Sequence, residues 1–456
     1  QDDRVLLLLG NRAEFIIALF ALARLGAVAV PLSVRSAPPE VAFVAAQCGA
    51  AGAIVEDDLW GHLPAAAQAP ALRLRVALSA RDGAVAFDTL TAGDRSTEAA
   101  PPAVVDEEDT AVILYTSGTT GRPKGAMLTH LNIVHSAMHY VACMGLTEHD
   151  RSAVAVPLSH VTGLVAQAHT LARCAGCLVL MDGFKAAAFL SLAAGERITH
   201  TLMVPAMYAL CLLHDGFGAH DLAAWRIGAY GGAPMAPATI AALAEKLPAL
   251  TLLNCYGATE TTSPATVMPA GFTAQRPDSV GVAVPCGELS VVDPQGRPLP
   301  PGQTGEIWIR GPMVVRGYWD NAAATADNFS SGWWHSGDLG RLDEDGFLQV
   351  QDRIKDVVNR GGYKVFSSEV EAVLSQHPAV LEAAVVGYAC PVLGERVQAV
   401  VCLRAGAVQT DPAVLHDFCA ARLADYKLPE RWTLRQEPLP RNANGKLMKK
   451  ALRENA

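Results

Sequence analysis

Apolar, strand-like runs alternate with helical patterns at the start of the chain. The run at residues 5–9 is followed by a helical pattern opened by Asn11 and Glu14, which have capping-box spacing, and then by further apolar runs to about Ile54. Such alternation is typical of βαβ units, in which helices join parallel strands. The pattern continues to about residue 265, so the sequence predicts a large α/β domain built from several layers.

The pattern changes near Gly281 and again at the charged segment DRIKD, residues 352–356. Between these points, short apolar runs at 289–292 and 305–309 are separated by proline and glycine turns, which is typical of a small β-barrel-like subdomain. After the charged segment, one helix at 368–376 is mixed with apolar strands. We predict an N-terminal domain over residues 1–352 and a small α+β C-terminal domain over residues 353–456.

Composition argues against several classes of protein. Hydrophobic residues make up 51% of the chain and charged residues 18%, which favours a packed globular protein over a disordered one. The net charge of −9 provides no general attraction to nucleic acid, so no nucleic-acid partner is expected. The longest apolar run, residues 15–32, is interrupted by Arg24, Gly26 and Pro31 and predicts a buried helix followed by a strand, not a membrane span.

The cysteines and histidines indicate no metal centre. Ten scattered cysteines with a single C-x-x-C, Cys174 and Cys177, predict reduced thiols and a cytoplasmic location. His135 and His139 lie four residues apart on a predicted helix, but Ser136 stands where a zinc helix needs glutamate, so ordinary helix-face histidines are predicted. Because no methionine or signal peptide opens the chain, we expect the start of the protein to be missing.

A strand-like run at residues 112–115 leads into the segment TSGTTGRPKG, residues 116–125. Its glycines let backbone N–H groups approach an anion, its hydroxyl groups donate hydrogen bonds, and Lys124 adds positive charge. The segment is not a Walker A loop, because Lys124 follows Pro123 and no helix begins there. The sequence therefore predicts a phosphate-binding loop of another kind.

This loop resembles the signature of the adenylate-forming superfamily, which contains acyl-CoA synthetases, luciferases and the adenylation domains of peptide synthetases. Four further segments resemble that superfamily in the expected order: GGAP at 231–234, NCYGATE at 254–260, SGDLG at 336–340 and PRNANGK at 440–446. The resemblance covers essentially the whole chain. It implies the use of ATP, Mg²⁺ and coenzyme A, and a C-terminal domain that is mobile.

The resemblance also implies the members of an ATP site. They are Thr116, Ser117, Gly118, Thr119, Thr120, Gly121, Lys124, Gly231, Gly232, Ala233, Pro234, Asn254, Tyr256, Gly257, Thr259, Asp338, Arg353 and Lys446. Thr259, Arg353 and Lys446 are implied to be catalytic, and Asp338 to accept hydrogen bonds from the ribose. Glu260, together with Thr116, is implied to hold magnesium, because a carboxylate beside a triphosphate is repelled unless a hard cation lies between them.

The remaining implied positions concern the acid, the thiol and the hinge. They are His160, Val204 and Tyr230 in the acyl pocket, Gly361 and Gly362 at the CoA tunnel, and Lys355 at the hinge between domains. A satisfied core histidine is nearly as strong an interpretation of His160. The candidate pocket segments 154–164, 198–213, 228–234 and 261–266 contain no Asp, Glu, Lys or Arg, which predicts an uncharged acyl tail.

The predicted activity is that of an acyl-CoA synthetase acting on a small carboxylic acid, with a role in fatty acid metabolism. Two alternatives stay open: a fatty-acyl-AMP ligase or adenylation enzyme that loads a carrier protein, and a non-enzymatic nucleotide-binding protein. The resemblance of the Lys446 loop further implies control by a lysine acetyltransferase and a deacylase. The family usually has glycine where this chain has Asp352 and proline near Ser367 and Ser368, positions to which the resemblance assigns no chemistry.

Overall fold

The computed structural model describes residues 2–92, 102–116, 123–404, 406–407, 410–441 and 447–454. The contacts between residues divide the chain into two compact units. Unit 1 contains the chain up to Leu289 together with Trp308–His335, and unit 2 contains Ser290–Ile307 and the chain from Ser336 onward. The predicted boundary between residues 352 and 353 stays a prediction.

The first sheet of unit 1 has the order β5-β4-β3-β1-β2-β6-β7 in the described residues, and it is parallel except where β7 runs antiparallel to β6. Its strands are β1 (Arg4–Leu8), β2 (Val28–Pro31), β3 (Gly52–Val55), β4 (Leu74–Ala77), β5 (Val85–Ala86), β6 (Thr110–Thr116) and β7 (Lys124–Thr129). The accompanying helices are α1 (Ala13–Arg24), α2 (Pro38–Gln47) and α3 (Phe87–Thr91).

Both faces of this sheet are covered, which explains the nearly continuous apolar runs in the sequence. In β1, Leu6 and Leu8 pack with Val41 of α2, whereas Leu7 points to the opposite face and packs with Phe15 of α1. All five side chains are buried. A strand buried on both sides needs apolar residues at every position, so periodicity of two is lost.

The predicted capping box of α1 is wrong. The residue before α1 is Arg12, whose side chain makes no capping hydrogen bond. Glu14 instead forms an ion pair with Arg12 at 2.8 Å, and the Asn11 side chain is engaged elsewhere. The helix thus begins one residue later than the spacing predicted, and Asn11 and Glu14 contact other groups.

The second sheet of unit 1 has the order β14-β13-β12-β11-β10-β8-β9 in the described residues. Its strands are β8 (Arg151–Val154), β9 (Cys177–Leu180), β10 (His200–Met203), β11 (Ile227–Gly231), β12 (Thr251–Tyr256), β13 (Thr266–Val267) and β14 (Val282–Ala283). Strands β8 to β12 are parallel, and β13 and β14 add an antiparallel edge. The helices are α4 (His130–Met144), α5 (Thr170–Arg173), α6 (Ala186–Gly195), α7 (Pro205–Leu212) and α8 (Pro237–Lys246), with a π-helix at Thr162–His169.

A third and a fourth sheet follow, with α9 (Ala322–Asn328) in unit 1. The third sheet contains β15 (Glu288–Val292), β16 (Gly305–Arg310), β17 (Phe329–Ser330), β18 (Trp333–Leu342) and β19 (Leu348–Arg353). The fourth, in unit 2, contains β20 (Val358–Arg360), β21 (Tyr363–Val365), β22 (Val380–Cys390), β23 (Gly394–Leu403) and β24 (Arg431–Arg435). Its helices are α10 (Ser367–Leu374), α11 (Pro412–Ala420) and α12 (Lys449–Glu454).

The predicted fold class is confirmed: mixed α/β sheets are followed by a small β-rich sheet and an α+β end. The apolar run at 15–32 forms most of α1 and then β2, as expected of a buried helix followed by a strand. Within the described part of the chain, no helix is both long and apolar enough to cross a membrane.

Candidate active site

The GGAP and NCYGATE segments begin at the carboxyl ends of two neighbouring parallel strands, β11 and β12. Their register pairs Tyr230 with Asn254 and Gly231 with Cys255. A Cβ atom at Gly231 would lie 2.4 Å from the Cys255 carbonyl oxygen, so the close pairing requires glycine there. Gly232 follows with φ of +78°, a left-handed conformation that glycine adopts without strain. In parallel sheets this edge is where ligands bind.

The GGAP segment, implied to bind ATP, is open to solvent, whereas Asn254 has a structural partner. Gly232, Ala233 and Pro234 are exposed, and the partly exposed Tyr256 ends β12 on the neighbouring strand. The buried Asn254 amide donates from Nδ2 to the Ser279 carbonyl oxygen at 3.1 Å. That bond ties β12 to the chain before β14.

Glu260 lies in a single 3₁₀ turn, Thr259–Thr261, directly after β12. Its side chain is buried, with 9% exposure, and Oε1 accepts a hydrogen bond of 2.9 Å from the Tyr318 hydroxyl. Its backbone oxygen accepts from the Val315 N–H at 2.9 Å. Burial and the negative charge of Glu260 raise the pKa of Tyr318 far above its usual value, so the phenol stays protonated and donates.

Lys124 approaches the same tyrosine from the other sheet. It begins β7, opposite Thr116 at the end of β6, and its Nζ lies 5.0 Å from the centroid of the Tyr318 ring. The Thr116 hydroxyl donates to the Lys124 carbonyl oxygen at the long distance of 3.5 Å. The phosphate-loop residues Ser117, Gly118, Thr119, Thr120 and Gly121 lie outside the described residues.

Tyr318 was not predicted from the sequence. The chain around it runs beside β7: Met127 N–H donates to the Gly317 oxygen at 3.1 Å, and Trp319 N–H donates to the Gly125 oxygen at 2.7 Å. The pairing joins residues almost two hundred positions apart. The Gly317–Tyr318 pair alone has no recognisable chemistry, so the sequence contained no signal that could have found it.

The residues present fit a magnesium ion held largely by substrate. One oxygen of Glu260 is engaged by Tyr318, and a carboxylate still presents further lone pairs to a hard cation. Among the described residues there is no group of three or more His, Cys, Asp or Glu side chains that could hold a metal ion. Mg²⁺ commonly uses one or two carboxylates with substrate phosphates, so a single buried glutamate matches its chemistry.

The predicted acyl-pocket residues lie in three separate segments of unit 1. Tyr230 is buried on β11, and Val204, between β10 and α7, is 38% exposed. One Val204 methyl carbon lies 4.0 Å from where a Cβ at Gly232 would be, so Val204 borders the GGAP segment. The His160 ring is partly buried, with Nδ1 3.1 Å from the Thr162 hydroxyl.

Asn11 positions the segment that leads to His160, a role the sequence did not reveal. Its amide nitrogen donates to the carbonyl oxygens of Val154 and Val156, at 3.2 and 2.9 Å. Its Oδ1 accepts from the Leu158 N–H at 2.8 Å. Three buried hydrogen bonds from one side chain therefore fix the loop after β8.

In unit 2, Asp338 and Arg353 are partners of each other. They face each other across β18 and β19, and Arg353 Nε lies 3.1 Å from Asp338 Oδ1. Asp352, beside Arg353, accepts hydrogen bonds from the N–H groups of Ser367 and Ser368 at the start of α10. The residues at which the chain departs from the family pattern thus contact each other, and a proline at Ser368 would remove one of these donors.

The predicted hinge and CoA residues also have defined conformations. Lys355 lies in the 3₁₀ turn Ile354–Asp356, and its carbonyl oxygen accepts from Arg453 of α12 at 2.8 Å. Burial, and next the positive charge of Arg353, lower the pKa of Lys355. Gly361 and Gly362, with φ of +58° and +93°, form the two-residue turn between β20 and β21. Lys446 lies outside the described residues.

Comparison with known proteins identifies the class. Residues 1–319 match the family model of AMP-binding enzymes, and residues 369–446 match the model of the AMP-binding enzyme C-terminal domain. The chain therefore belongs to the adenylate-forming AMP-binding enzymes, as the sequence motifs predicted.

Individual relatives are acid–thiol ligases. A feruloyl-CoA synthase of Amycolatopsis sp is 35% identical over 99% of this chain and 88% of its own length. The long-chain-fatty-acid–CoA ligase FadD13 of Mycobacterium tuberculosis is 33% identical over 100% of this chain and 88% of its own. The structure of o-succinylbenzoate CoA synthetase (MenE) from Bacillus subtilis, in complex with the acyl-adenylate intermediate OSB-AMP, matches with a TM-score of 0.87 and 30% identity, covering 99% of this chain and 88% of that one. The predicted class, an AMP-forming acid–thiol ligase, is confirmed.

Proposed function

We propose that this protein converts a carboxylic acid with an uncharged tail into its CoA thioester through an acyl-adenylate. The observation that carries the proposal is the arrangement of Lys124, Tyr318 and Glu260 beside the ends of β11 and β12. It offers one cation and one buried carboxylate at the edge where nucleotides bind in sheets of this kind. Family membership supplies the chemistry that these groups would serve.

In the first step, a carboxylate oxygen of the acid attacks the α-phosphorus of ATP. A bond from the acyl oxygen to phosphorus forms, the α–β phosphoanhydride breaks, and pyrophosphate leaves. Bound magnesium would neutralise phosphate charge, with Glu260 as its protein ligand and Thr116 nearby. Lys124 would attract the phosphates, Thr259 the α-phosphate, and Lys446 the charge that develops between the acid and the α-phosphate.

In the second step, the sulfur of CoA attacks the acyl carbonyl carbon, AMP leaves with the former carboxylate oxygen, and the thiol proton passes to solvent. Asp338 and Arg353 would hold the ribose and the phosphate, and Gly361 and Gly362 would line the path of the thiol. Rotation of the C-terminal domain at Lys355 would bring Lys446 to the site for the first step and Gly361 and Gly362 for the second. One site would then serve both steps.

The acid is proposed to carry an uncharged tail. The described pocket segments contain no Asp, Glu, Lys or Arg, and the exposed Val204 side chain lies beside Gly232. An ionic tail buried there would lack a charged partner, which is costly. Aryl acids and fatty acids both meet this requirement, so a place in fatty acid metabolism rests on which of them is used.

The test is a panel of aryl, short-chain, medium-chain and long-chain acids, scored by the formation of AMP in the presence of ATP, magnesium and CoA. Turnover of one acid that requires both ATP and CoA would support the proposal. Acyl-adenylate that accumulates without CoA-dependent release would indicate a carrier-protein acceptor instead. If no acid causes pyrophosphate to be released from ATP, the protein would be a nucleotide-binding protein without this activity.

Location and regulation belong to the same proposal. All ten cysteines lie in the described part of the chain and are free thiols, which supports a reducing, cytoplasmic compartment. Acetylation of Lys446 by an acetyltransferase, reversed by a deacylase, would remove the charge proposed for the first step. Mass spectrometry of Lys446, with activity measured before and after deacylation, tests that control.

A further inference from the structure

The Tyr318 side chain is shared by two groups of opposite charge at the proposed nucleotide site. Its hydroxyl donates to Glu260 Oε1 at 2.9 Å, while its ring carries the Lys124 ammonium 5.0 Å from the centroid. We propose that Tyr318 is a positioning residue for Mg·ATP. It holds Glu260 and Lys124 in place and acts on the metal through Glu260. The inference rests on the proposed function.

Tyr318 is suited to this role because it is held on several sides. Its side chain is only 4% exposed and packs edge-to-face against Phe329, with ring centroids 5.6 Å apart. Its backbone N–H donates to the Thr325 hydroxyl at 3.0 Å. A Cβ at the preceding Gly317 would lie 2.5 Å from the Thr325 side chain, so the chain passes α9 in contact. A phenol fixed in this way loses little further freedom when it orients a carboxylate.

The backbone around Glu260 is tied to the same segment. The Val315 N–H donates to the Glu260 carbonyl oxygen, three residues before Tyr318. The segment is anchored in turn by Asn132 of α4, whose Nδ2 donates to the carbonyl oxygens of Pro312 and Val314 at 2.7 and 3.1 Å. Glu260 is therefore held by its backbone and its side chain from one stretch of chain.

The ring also separates the two charges. Lys124 contacts the face of the ring, and Glu260 contacts the hydroxyl at its edge. A lysine and a glutamate paired directly would neutralise each other, and that pair would have to break when Mg·ATP arrives. Because they contact different parts of one aromatic ring, the Lys124 ammonium remains available to phosphate and the Glu260 carboxylate to the cation.

Two substitutions separate these contributions. Tyr318→Phe keeps the ring under Lys124 and removes only the hydroxyl, whereas Tyr318→Leu removes both. Tyr208→Phe is the matched control for nucleotide binding, because Tyr208 lies in a segment assigned to the acid, is also buried, and donates its hydroxyl to the Ala229 backbone oxygen at 2.7 Å. Each protein is titrated calorimetrically with ATP, once with magnesium and once with a chelator, and its thermal midpoint is measured.

We expect Tyr318→Phe to weaken Mg·ATP binding by about tenfold, the lower end for losing a hydrogen bond to a metal ligand. Its affinity for metal-free ATP and its thermal midpoint should match those of Tyr208→Phe. Tyr318→Leu should also weaken the binding of metal-free ATP, because Lys124 loses its contact with the aromatic ring. In combination with Glu260→Gln, the Tyr318→Phe change should cost nothing further, since both act through one carboxylate.

Three results would overturn the inference: unchanged Mg·ATP affinity in Tyr318→Phe, an equal loss for metal-free ATP, or additive losses in the double variant. If the wild-type protein binds ATP and turns over an acid, and Tyr318→Phe binds Mg·ATP as tightly as Tyr208→Phe does, only this inference is refuted. A wild-type protein that binds no ATP in either titration would overturn the proposed function itself.

Discussion

Arg353 Nε lies 3.1 Å from Asp338 Oδ1, so two residues predicted to bind the nucleotide are paired with each other across β18 and β19. The Asp338 carboxylate is buried whereas the Arg353 side chain is partly exposed. The ion pair can thus orient the Asp338 carboxylate to accept hydrogen bonds from a ribose diol. The remaining N–H groups of the Arg353 guanidinium stay available to phosphate.

Asp338→Asn should weaken ATP binding by about tenfold to a hundredfold, because a hydrogen bond to a charged group contributes roughly 1.5–3 kcal/mol. Binding of 2′,3′-dideoxy-ATP, which lacks the diol, should change little. Calorimetric titration with both nucleotides measures the difference. Equal losses for the two nucleotides would show that Asp338 acts through structure and not through the ribose.

Lys446→Ala should slow acyl-adenylate formation by about a thousandfold. A charge pair at 4 Å and an effective dielectric constant of about 20 contributes about 4 kcal/mol, and each 1.4 kcal/mol corresponds to about tenfold in rate. Conversion of supplied acyl-adenylate to acyl-CoA should be nearly unchanged. Single-turnover measurement of each half-reaction checks this, and a parallel loss in both would remove the assignment of Lys446 to the first step.

Lys355→Pro should separate the two half-reactions. Proline fixes φ near −65°, close to the value of the 3₁₀ turn that contains Lys355, and removes the freedom that rotation requires. Lys355→Ala, which keeps a free backbone, is the control. The rates of the two half-reactions are compared in both variants; if proline and alanine slow both steps equally, the turn is structural and the hinge lies elsewhere.

His200 should make the stability of the protein depend on pH. Burial lowers its pKa to about 4; the smaller contribution of the Asp150 charge raises the pKa, and that of the Arg226 charge lowers it further. The unfolded chain therefore binds a proton near pH 6.5 that the folded protein does not bind until about pH 4. This contribution, at most about 3 kcal/mol, is present above pH 6.5 and is lost as the pH falls from 6.5 towards 4.

His200→Gln should accordingly flatten the dependence of the unfolding free energy on pH between 4 and 6.5, even where it lowers stability overall. Denaturant unfolding at several pH values measures the slope. His149→Gln, at an exposed histidine, is the control. A slope in His200→Gln equal to that of the wild type would contradict a neutral, buried His200.

Asn11→Ala should destabilise unit 1 and disturb the acid site. Two carbonyl oxygens and one N–H lose their buried partner, at about 1–3 kcal/mol for each group left unsatisfied. Because the freed loop leads to His160, the KM for the acid should rise more than the KM for ATP. Thermal unfolding and steady-state kinetics test both effects. A KM for the acid that stays at the wild-type value would limit Asn11 to stability.

The sequence by itself determined the fold class and the family. Buried parallel strands require continuous apolar runs, and phosphate loops require glycines and hydroxyls next to one another, so both leave local patterns. The run at 112–115 lies in β6, and the helix predicted near residue 368 is α10. The GGAP and NCYGATE segments begin at the ends of β11 and β12. The predicted roles of the site residues remain predictions for the experiments above.

Only the tertiary structure decided how distant segments meet. Asn11 and Glu14 have the spacing of a local capping box, yet the Asn11 amide forms hydrogen bonds with a loop more than 140 residues away. Tyr318 joins Lys124 and Glu260, which are 136 positions apart, through one hydroxyl and one ring face. Such contacts depend on strand order and register, which arise when the whole core packs, and a single side chain in the sequence carries no trace of them.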